Sequence, residues 1–247
     1  MNLEWDASTY DRIADPMTRW GATVVGWLDL EGSERVLDAG CGSGRVTEFL
    51  LERLPQGSVV ALDASANMIE EARKRLAQHA DRVEFVVADL AQPLPVEGTV
   101  DAVLSTATFH WVPDHDALFA NLAAVSGPGA QLAAQCGAAG NIAAVLTAAR
   151  DAGTDWTGPT YFATADETRA RLEASGFTDV HVWTHEEPTP IEPGEPLETY
   201  LRTVCLRGHV DRLPEIDRDR FIREVAGRLH EPVIDYVRLN IRARRAT

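Results

Sequence analysis

Residues 36–45, VLDAGCGSGR, constrain the fold more than any other stretch of this chain. An apolar run leads into a turn that contains Gly40, Gly42 and Gly44, and the helical pattern GRVTEFLLERL follows at once. A strand, a glycine-rich turn and a helix N-terminus in this order bring a ligand close to backbone amides. The stretch therefore predicts a βα unit that binds a ligand at the carboxyl end of its strand.

Short apolar runs and helical patterns alternate between residues 34 and 135, for example VVALDAS before SANMIEEARKRLAQHA. This alternation predicts βαβ units around a mainly parallel sheet. The last apolar run, VIDYVRLNIRAR, alternates as a strand that we expect to lie antiparallel, at or near an edge. In TADETRARLEASGF, Thr164 and Glu167 form a capping-box pattern and Gly176 stands in a C-cap position, which predicts a helix between them.

We expect a single α/β domain over residues 1–247, because the length and the 45% hydrophobic content suit one large core. Two insertions, about 137–163 and 188–231, are candidates for a helical lid over the site. The core would comprise the segments at about 30–136, 164–187 and 232–245.

The charged residues exclude several classes of function. A formal net charge of −15 repels nucleic acid and anionic membranes, which favours a small-molecule substrate. Lys74, in the helical stretch EEARKR, is the only lysine of the chain. A Walker phosphate loop, a Schiff-base enzyme and a Tyr-Lys reductase each need a suitably placed lysine, so none of the three is predicted.

The cysteines and the N-terminal sequence indicate the cellular compartment of the protein. Cys41, Cys136 and Cys205 are widely separated and form no CxxC pair, so we predict reduced thiols and neither a disulfide framework nor a thiolate metal site. His181 and His185 are spaced too widely along one strand for an easy metal chelate. The start MNLEWDASTYDR has neither a basic n-region nor an apolar h-region, which predicts a cytoplasmic protein without membrane partners.

The glycine turn also indicates the kind of ligand. Its glycines read GxGxG, whereas a dinucleotide fingerprint reads GxGxxG/A, and Arg45 is bulky where a pyrophosphate site needs a small residue. Asp38 lies two residues before the first glycine. A carboxylate at this position is unfavourable beside phosphates and favourable beside a cation.

This combination resembles motif I of the class I S-adenosylmethionine-dependent methyltransferases. The resemblance continues through WDASTYDRIAD, LDASANMI, ADL and FHWVPDHDALF, covers most of the chain and points to the trans-aconitate 2-methyltransferase-like group. It implies a Rossmann-like methyltransferase fold, that is, a doubly wound, seven-stranded, mostly parallel sheet with helices on both faces. It further implies that S-adenosyl-L-methionine binds at the carboxyl ends of the first strands and leaves as S-adenosyl-L-homocysteine.

The resemblance also implies how the cofactor is held. The glycines would admit its methionine portion, Asp63 would bridge the ribose hydroxyls, and Asp89 would accept a hydrogen bond from the adenine amino group. Taken singly, each aspartate could instead be a helix cap or a solvated turn residue. An N-terminal helix over about 5–29 would close the pocket. The complete predicted set is Tyr10, Arg19, Asp38, Gly40, Cys41, Gly42, Asp63, Ala64, Met68, Ala88, Asp89, Leu90 and Thr106.

The resemblance places Arg19 near the methionine carboxylate of the cofactor and the backbone carbonyl of Thr106 near its ammonium group. Plain helix packing or a surface salt bridge are the alternatives for Arg19. Both expectations rest on position along the chain alone.

The stretch TFHWVPDHD, residues 108–116, predicts a substrate wall followed by a helix start. We expect Phe109, His110 and Trp111 to face the substrate side of the cofactor. His110 stands where the related group carries glutamine, and three roles are open for it: a general base, a substrate-orienting hydrogen bond or structural packing. Asp114 or Asp116 suits a helix cap or the first turn of a helix, and His115 is expected to be exposed.

Arg207, in CLRGHV, could pair with a substrate carboxylate through two parallel hydrogen bonds. The predicted function is therefore a small-molecule methyltransferase, with O-methylation of a trans-aconitate-like carboxylate as the first choice. The alternatives are a non-catalytic S-adenosylmethionine-binding protein, or a methyltransferase for a carrier-bound acid or a natural-product hydroxyl. A nicotinamide oxidoreductase is disfavoured by Arg45 and by the missing lysine, and both a monomer and a dimer remain open.

Overall fold

A computed structural model of the chain describes residues 15–154, 156 and 158–247. Its centre is a seven-stranded sheet in the order β3-β2-β1-β4-β5-β7-β6. Only β7 runs against its neighbours, since its pairings with β5 and β6 are antiparallel and the other pairings are parallel. The prediction of a doubly wound, mostly parallel sheet is confirmed. The strands are β1 (Arg35–Ala39), β2 (Ser58–Asp63), β3 (Val83–Val87), β4 (Val100–Thr106), β5 (Ser126–Gly137), β6 (Phe177–Pro190) and β7 (Val233–Arg245).

The sequences of the central strands explain their position. Every residue of β1 after Arg35 is buried, and so is every residue of β2 between Ser58 and Asp63, which is typical of parallel strands covered by helices on both faces. One apolar cluster packs on each side of this sheet, one around Leu37, Phe119 and Leu132 and the other around Val36, Leu50 and Leu104.

The helices follow the periodic segments of the sequence. The capping box of Thr164 and Glu167 is present, and Asp114 caps its helix by accepting a hydrogen bond from the amide of Ala117 at 2.9 Å. The expectation for His115 is wrong: it is buried, and its Nε2 lies 2.9 Å from the carbonyl oxygen of Phe109. The described α-helices are α1 (Asp15–Val25), α2 (Arg45–Arg53), α3 (Ala66–Arg75), α4 (His115–Val125), α5 (Ala143–Asp151), α6 (Ala165–Ala174), α7 (Glu195–Tyr200), α8 (Arg207–Arg212) and α9 (Glu215–Arg228). None of the described helices is long and apolar enough to cross a membrane.

The two predicted insertions pack together. Helices α5, α7, α8 and α9 contribute to a third apolar cluster, which also takes in Ile234 and Tyr236 of β7. Between α7 and α8 the chain forms a π-helix, Leu201–Cys205. The insertions therefore form one body beside the carboxyl end of β5 and the start of β7.

The sheet order reverses at β1, which pairs with β2 on one side and with β4 on the other. Helices that follow β1 and β4 leave toward different sides of the sheet at such a point, and a crevice opens outside the carboxyl ends of these strands. The glycine-rich turn follows β1 directly, so the fold places it at this crevice.

Candidate cofactor and acceptor site

A cavity of about 480 Å³ lies at the carboxyl ends of β1, β2 and β4. It brings together most of the residues that the sequence predicted for the cofactor. These lining residues are Gly40, Cys41, Gly42, Asp63, Ala64, Met68, Ala88, Asp89, Leu90 and Thr106.

Backbone hydrogen bonds fix the glycine turn against β2. The amides of Gly40 and Cys41 both donate to the carbonyl oxygen of Leu62, at 2.7 and 2.9 Å. Gly40 has φ +87°, and a Cβ atom there would come within 2.2 Å of the Thr108 hydroxyl oxygen. Gly42 has φ +54°, but a Cβ atom there would meet nothing within 4 Å. Glycine is thus required at position 40 by close approach, and at position 42 by backbone conformation alone.

Asp63, the last residue of β2, is oriented by two backbone donors. Its Oδ2 accepts a hydrogen bond from the Gly42 amide at 2.9 Å, and its Oδ1 accepts one from the Ser65 amide at 2.8 Å. Both oxygens are held at the cavity edge by these contacts. A carboxylate in this orientation is suited to accept hydrogen bonds from paired hydroxyl groups.

Asp38 lies behind the glycine turn and is not among the residues that line the cavity. Its Oδ2 accepts a hydrogen bond from the Thr47 hydroxyl at 2.7 Å, while its buried Oδ1 has no hydrogen-bond partner among residues 15–154, 156 and 158–247. Burial raises the pKa of Asp38 to about 7, the Thr47 hydrogen bond opposes this, and the charge of Asp63 adds to it. A buried carboxyl group with an unused oxygen beneath the turn fits a ligand that carries a positive charge, as S-adenosylmethionine does.

The other predicted cofactor contacts differ in character. Asp89 is exposed, and its Oδ1 accepts a hydrogen bond from the Ala91 amide at 2.9 Å, so it also serves as a turn residue. The carbonyl oxygen of Thr106 accepts one from the Thr108 hydroxyl at 3.0 Å. Arg19 is exposed and does not line the cavity. Tyr10 lies outside the described residues.

Two of the four predicted substrate residues line the cavity, namely His110 and Trp111. Phe109 does not: only 1% of it is exposed, and its ring packs edge-to-face on Phe119 at 5.8 Å between centroids. The expectation for Phe109 is therefore wrong. Arg207 also lies outside the lining, with its Nε 3.6 Å from a carboxylate oxygen of Asp211.

A change of backbone conformation explains why neighbouring side chains separate here. Strand β4 ends at Thr106, Ala107 adopts a left-handed conformation with φ +55°, and a 3₁₀-helix spans Phe109–Trp111. At about three residues per turn, consecutive side chains of a 3₁₀-helix point in different directions. Phe109 therefore enters the core, while His110 and Trp111 reach the cavity.

His110 is held as a neutral ring. Its Nδ1 accepts a hydrogen bond from the Gly137 amide at 3.3 Å, so the single proton of the neutral imidazole lies on Nε2. Burial, followed by the charges of Arg238 and His115, lowers the pKa of His110 to about 3. The ring stacks on Phe162 at 5.8 Å between centroids. The geometry makes His110 a hydrogen-bond donor rather than a proton acceptor.

The cavity also contains residues that sequence reasoning missed, above all Asn141, Phe162, Tyr236 and Arg238. Asn141 and Phe162 belong to the first insertion, and the other two belong to β7. One signal for Arg238 was present in the sequence: a charged residue in the middle of an apolar strand, YVRLNI, is unusual and needs a reason.

Backbone strain accompanies the site. Ala107, Ile142 and Asp179 are the described non-glycine residues with positive φ, and both Ala107 and Ile142 line the cavity. Residues in this conformation cost about 1–3 kcal/mol each and cluster at functional sites.

Comparisons with known proteins agree with this geometry. A family model described as a methyltransferase domain matches residues 36–129. A trans-aconitate 2-methyltransferase of Variovorax paradoxus (strain S110) is 30% identical over 239 residues, which cover 93% of this chain and 90% of that protein. With the enzyme of the same name from Rhodopseudomonas palustris (strain BisB18), the identity is 39%, but the alignment spans only 53% of this chain and 50% of that one.

Solved structures share the fold. A Haemonchus contortus N-methyltransferase in complex with phosphomonomethylethanolamine and S-adenosylhomocysteine has a TM-score of 0.66 at 16% identity, covering 98% of this chain and 57% of that one. A magnesium protoporphyrin IX methyltransferase from Synechocystis PCC 6803 has a TM-score of 0.60 at 20% identity, with coverage of 96% and 86%. The relative from Variovorax paradoxus, aligned over nearly the full length of both chains, shows that the chain belongs to the S-adenosylmethionine-dependent methyltransferases, in the group related to trans-aconitate 2-methyltransferases.

Proposed function

We propose that this methyltransferase transfers the methyl group of S-adenosylmethionine to a carboxylate oxygen of a small organic acid, of which trans-aconitate is the first to test. The observation that carries the proposal is the state of His110. Because its Nδ1 accepts the Gly137 amide, His110 meets a ligand with an N–H donor on Nε2. A carboxylate needs no base before it attacks, whereas an alcohol, a phenol or an ammonium group benefits from one.

Two further titratable groups that line the cavity, the Cys205 thiol and the Tyr236 phenol, support the same conclusion. Burial raises the pKa of the Cys205 thiol to about 12, and it raises the pKa of the Tyr236 phenol well above its ordinary value. Both groups are therefore protonated at neutral pH, as are most thiols and phenols. Among the described lining residues, His110 is the only histidine. An acceptor that arrives already ionised suits this set.

The charge balance of the reaction also suits the cavity. When bound, S-adenosylmethionine supplies an electrophilic methyl group: the carboxylate oxygen bonds to the methyl carbon as the C–S bond breaks, and the electron pair stays on sulfur. An ester and a neutral thioether result, and no proton is released. Opposite charges disappear in this step, so the rings of Trp111 and Phe162, which line the cavity, favour it by excluding water.

We further propose roles for the residues at the cofactor end. Asp63 would bind the ribose hydroxyls, Asp89 the adenine amino group, and the turn from Gly40 to Gly42 the methionine portion. Asp38 would act on the positive charge through the turn, since it does not reach the cavity. The two insertions would cover the acceptor, because Asn141 and Phe162 of the first and Val204 of the second line the same cavity.

Two relatives support the choice of acceptor. The Variovorax paradoxus and Rhodopseudomonas palustris proteins are named trans-aconitate 2-methyltransferases. The second aligns over only about half its length, so the acceptor of this chain needs its own test.

A methylation assay with matched acceptors tests the proposal. Purified protein and S-adenosylmethionine are incubated with mono-, di- and tricarboxylic acids that include trans-aconitate, and in parallel with alcohols, phenols and amines of similar size. We expect S-adenosylhomocysteine and a base-labile methyl ester from an acid. At saturating S-adenosylmethionine, whose positive charge keeps Asp38 ionised, we also expect kcat/KM for the acid to stay level between about pH 6.5 and 8.5, because the acid is fully ionised and His110 stays neutral throughout.

Two results would contradict the proposal. Transfer to a phenol or an amine alone, with a rate that rises with pH, would mean that a base activates the acceptor. Tight S-adenosylmethionine binding without transfer to any acceptor would instead favour the non-catalytic binding protein.

A further inference from the structure

Three polar side chains, His110, Asn141 and Arg238, line the cavity. They come from different parts of the chain: the 3₁₀-helix after β4, the segment after β5, and β7. We call them the donor cluster, because each of these side chains carries N–H donors.

A backbone amide fixes the direction of His110. Its Nδ1 accepts from the Gly137 amide at 3.3 Å, which leaves the proton on Nε2. Asn141 is oriented in the same way. It is buried, and its Oδ1 accepts from the Val237 amide at 3.0 Å. The acceptor end of each side chain is thus turned to the backbone, and the N–H end remains for a ligand.

Arg238 adds a positive charge. The guanidinium has donors only, and 3% of the residue is exposed. It stacks on Trp20, with its central carbon 4.5 Å from the ring centroid, and its Nε lies 3.4 Å from Oε1 of Gln135. Its charge, after burial, also lowers the pKa of His110. A stacked guanidinium keeps its planar fork in one orientation, which is what bidentate binding of a carboxylate needs.

The pairing of β5 with β7 positions all three side chains of the donor cluster. Gly137 and Arg238 are partners in the antiparallel ladder between β5 and β7. Gly137 orients His110, and Val237, the neighbour of Arg238, orients Asn141. A shift of register between β5 and β7 would separate all three donors, so the antiparallel strand defines this wall of the cavity.

We infer that the donor cluster is the site that binds a carboxylate of the acceptor and selects anionic acceptors. The inference rests on the proposed function and adds the residues that determine specificity. A carboxylate can accept hydrogen bonds from these N–H groups and balance the positive charge, whereas a neutral acceptor of the same shape cannot balance the charge. Sites that bind a substrate group through hydrogen bonds and charge strongly reject analogues that lack this group.

The position of Arg238 in the sheet separates it from the cofactor end. Its ladder partner Gly137 ends β5, and β7 lies three strands from β1, which carries the glycine turn. At about 4.8 Å between neighbouring strands, this amounts to roughly 14 Å. The donor cluster therefore faces the acceptor, and the methionine carboxylate of the cofactor is the competing occupant that the test must distinguish.

Binding measurements on matched variants test the site. The variant Asn141→Asp keeps the oxygen that accepts from Val237 but replaces the N–H donors by a negative charge. Arg238→Met removes the cation, and Arg238→Lys keeps the charge without the planar fork. Arg242→Met is the control, because Arg242 is exposed on the same strand. Affinities for S-adenosylhomocysteine, and then for trans-aconitate and its trimethyl ester in the presence of S-adenosylhomocysteine, are measured by calorimetry.

We expect Asn141→Asp and Arg238→Met to weaken trans-aconitate binding by about 30-fold or more, and Arg238→Lys by about tenfold. The affinity for S-adenosylhomocysteine should stay within about threefold of the wild-type value in every variant, which also shows that the variants fold. The trimethyl ester should bind weakly to all proteins, and the control should match the wild type. In the methylation assay the loss should appear in KM more than in kcat.

The outcomes distinguish this inference from the proposed function. Unchanged trans-aconitate affinity in folded Asn141→Asp and Arg238→Lys proteins would overturn the donor cluster while carboxylate methylation stands. A loss of S-adenosylhomocysteine affinity without a loss of acid affinity would assign Arg238 to the cofactor and overturn the inference. If the wild-type protein neither binds nor methylates any acid of the panel, the donor cluster and the proposed function both fail.

Discussion

The substitution Asp38→Asn should change how stability depends on pH, because Asp38 is a buried carboxyl group with an unused oxygen. Its pKa rises from an ordinary 3.8 to about 7 in the folded protein. Between these values the folded state holds a proton that the unfolded state has released. Stability therefore falls as pH rises from about 4 to about 7, and it levels off above that range. The side-chain amide of the variant cannot ionise, so the variant lacks this loss.

The magnitude follows from the same pKa values. At about 1.4 kcal/mol per pH unit, the full window corresponds to about 4 kcal/mol. The protein carries little net charge near its isoelectric point of about 4.8 and tends to aggregate there, so the usable pH range begins near pH 5.5. Between pH 5.5 and pH 7, the difference in free energy of unfolding between the variant and the wild type should shift by about 2 kcal/mol in favour of the variant. For a chain of this length, this corresponds to roughly 4–8 °C in Tm.

Urea unfolding of the cofactor-free proteins between pH 5.5 and 8 measures this difference. The quantity to follow is its change with pH, since any fixed cost of the new amide is the same at every pH. Asp81→Asn, at an exposed aspartate, is the control and should give a constant difference. A constant difference for Asp38→Asn as well would refute the reasoning, because it would mean that Asp38 is ionised throughout.

The remaining predictions concern the turn and a helix cap. Gly40→Ala should abolish S-adenosylmethionine binding and cost about 3 kcal/mol or more, because its Cβ would meet the Thr108 side chain at 2.2 Å. Gly42→Ala, which meets nothing, should cost only the backbone penalty of about 1 kcal/mol and keep measurable binding; equal losses in the two variants by calorimetry and urea unfolding would contradict the steric argument. Thr164→Ala removes the cap of α6 and should lower the free energy of unfolding by about 1 kcal/mol with unchanged cofactor affinity.

The parts of the fold that the sequence predicted are those set by local pattern. The alternation of strand and helix periods, the glycine turn after β1 and the capping box at Thr164 each depend on residues close together in the chain. Asp63 could be placed for the same reason, since it ends a strand two elements after the turn. The antiparallel last strand was also predictable, because its residues alternate.

The prediction failed where a single residue changed the direction of the chain. Phe109 was expected to continue the line of β4 toward the substrate. Ala107 instead adopts a left-handed conformation, and alanine gives no sequence signal for a positive φ angle. The 3₁₀-helix that follows turns Phe109 into the core. His115 was expected to be exposed at the start of a helix, but its ring is buried, with Nε2 2.9 Å from the Phe109 carbonyl oxygen.

Arg238 and Asn141 could not be assigned from the sequence because their roles depend on contacts across long stretches of chain. Residue 141 accepts from the amide of residue 237, and residue 110 accepts from the amide of residue 137. Nothing local to NIAAV or YVRLNI determines which atom of each side chain is occupied. That information resides in the register of β5 and β7, which forms only when the sheet does.

The cofactor and the proposed acceptor carry opposite charges, and the proposed reaction neutralises both of them. Asp38, behind the glycine turn, would favour the positive charge of the cofactor, while the donor cluster would favour the negative charge of the acceptor. Transfer of the methyl group neutralises the sulfonium and the carboxylate in the same step. The monomethyl ester keeps the remaining carboxylates of the acid but has lost one negative charge, so it should bind more weakly than the acid. The same charges that assemble the reactants would then promote release of the product.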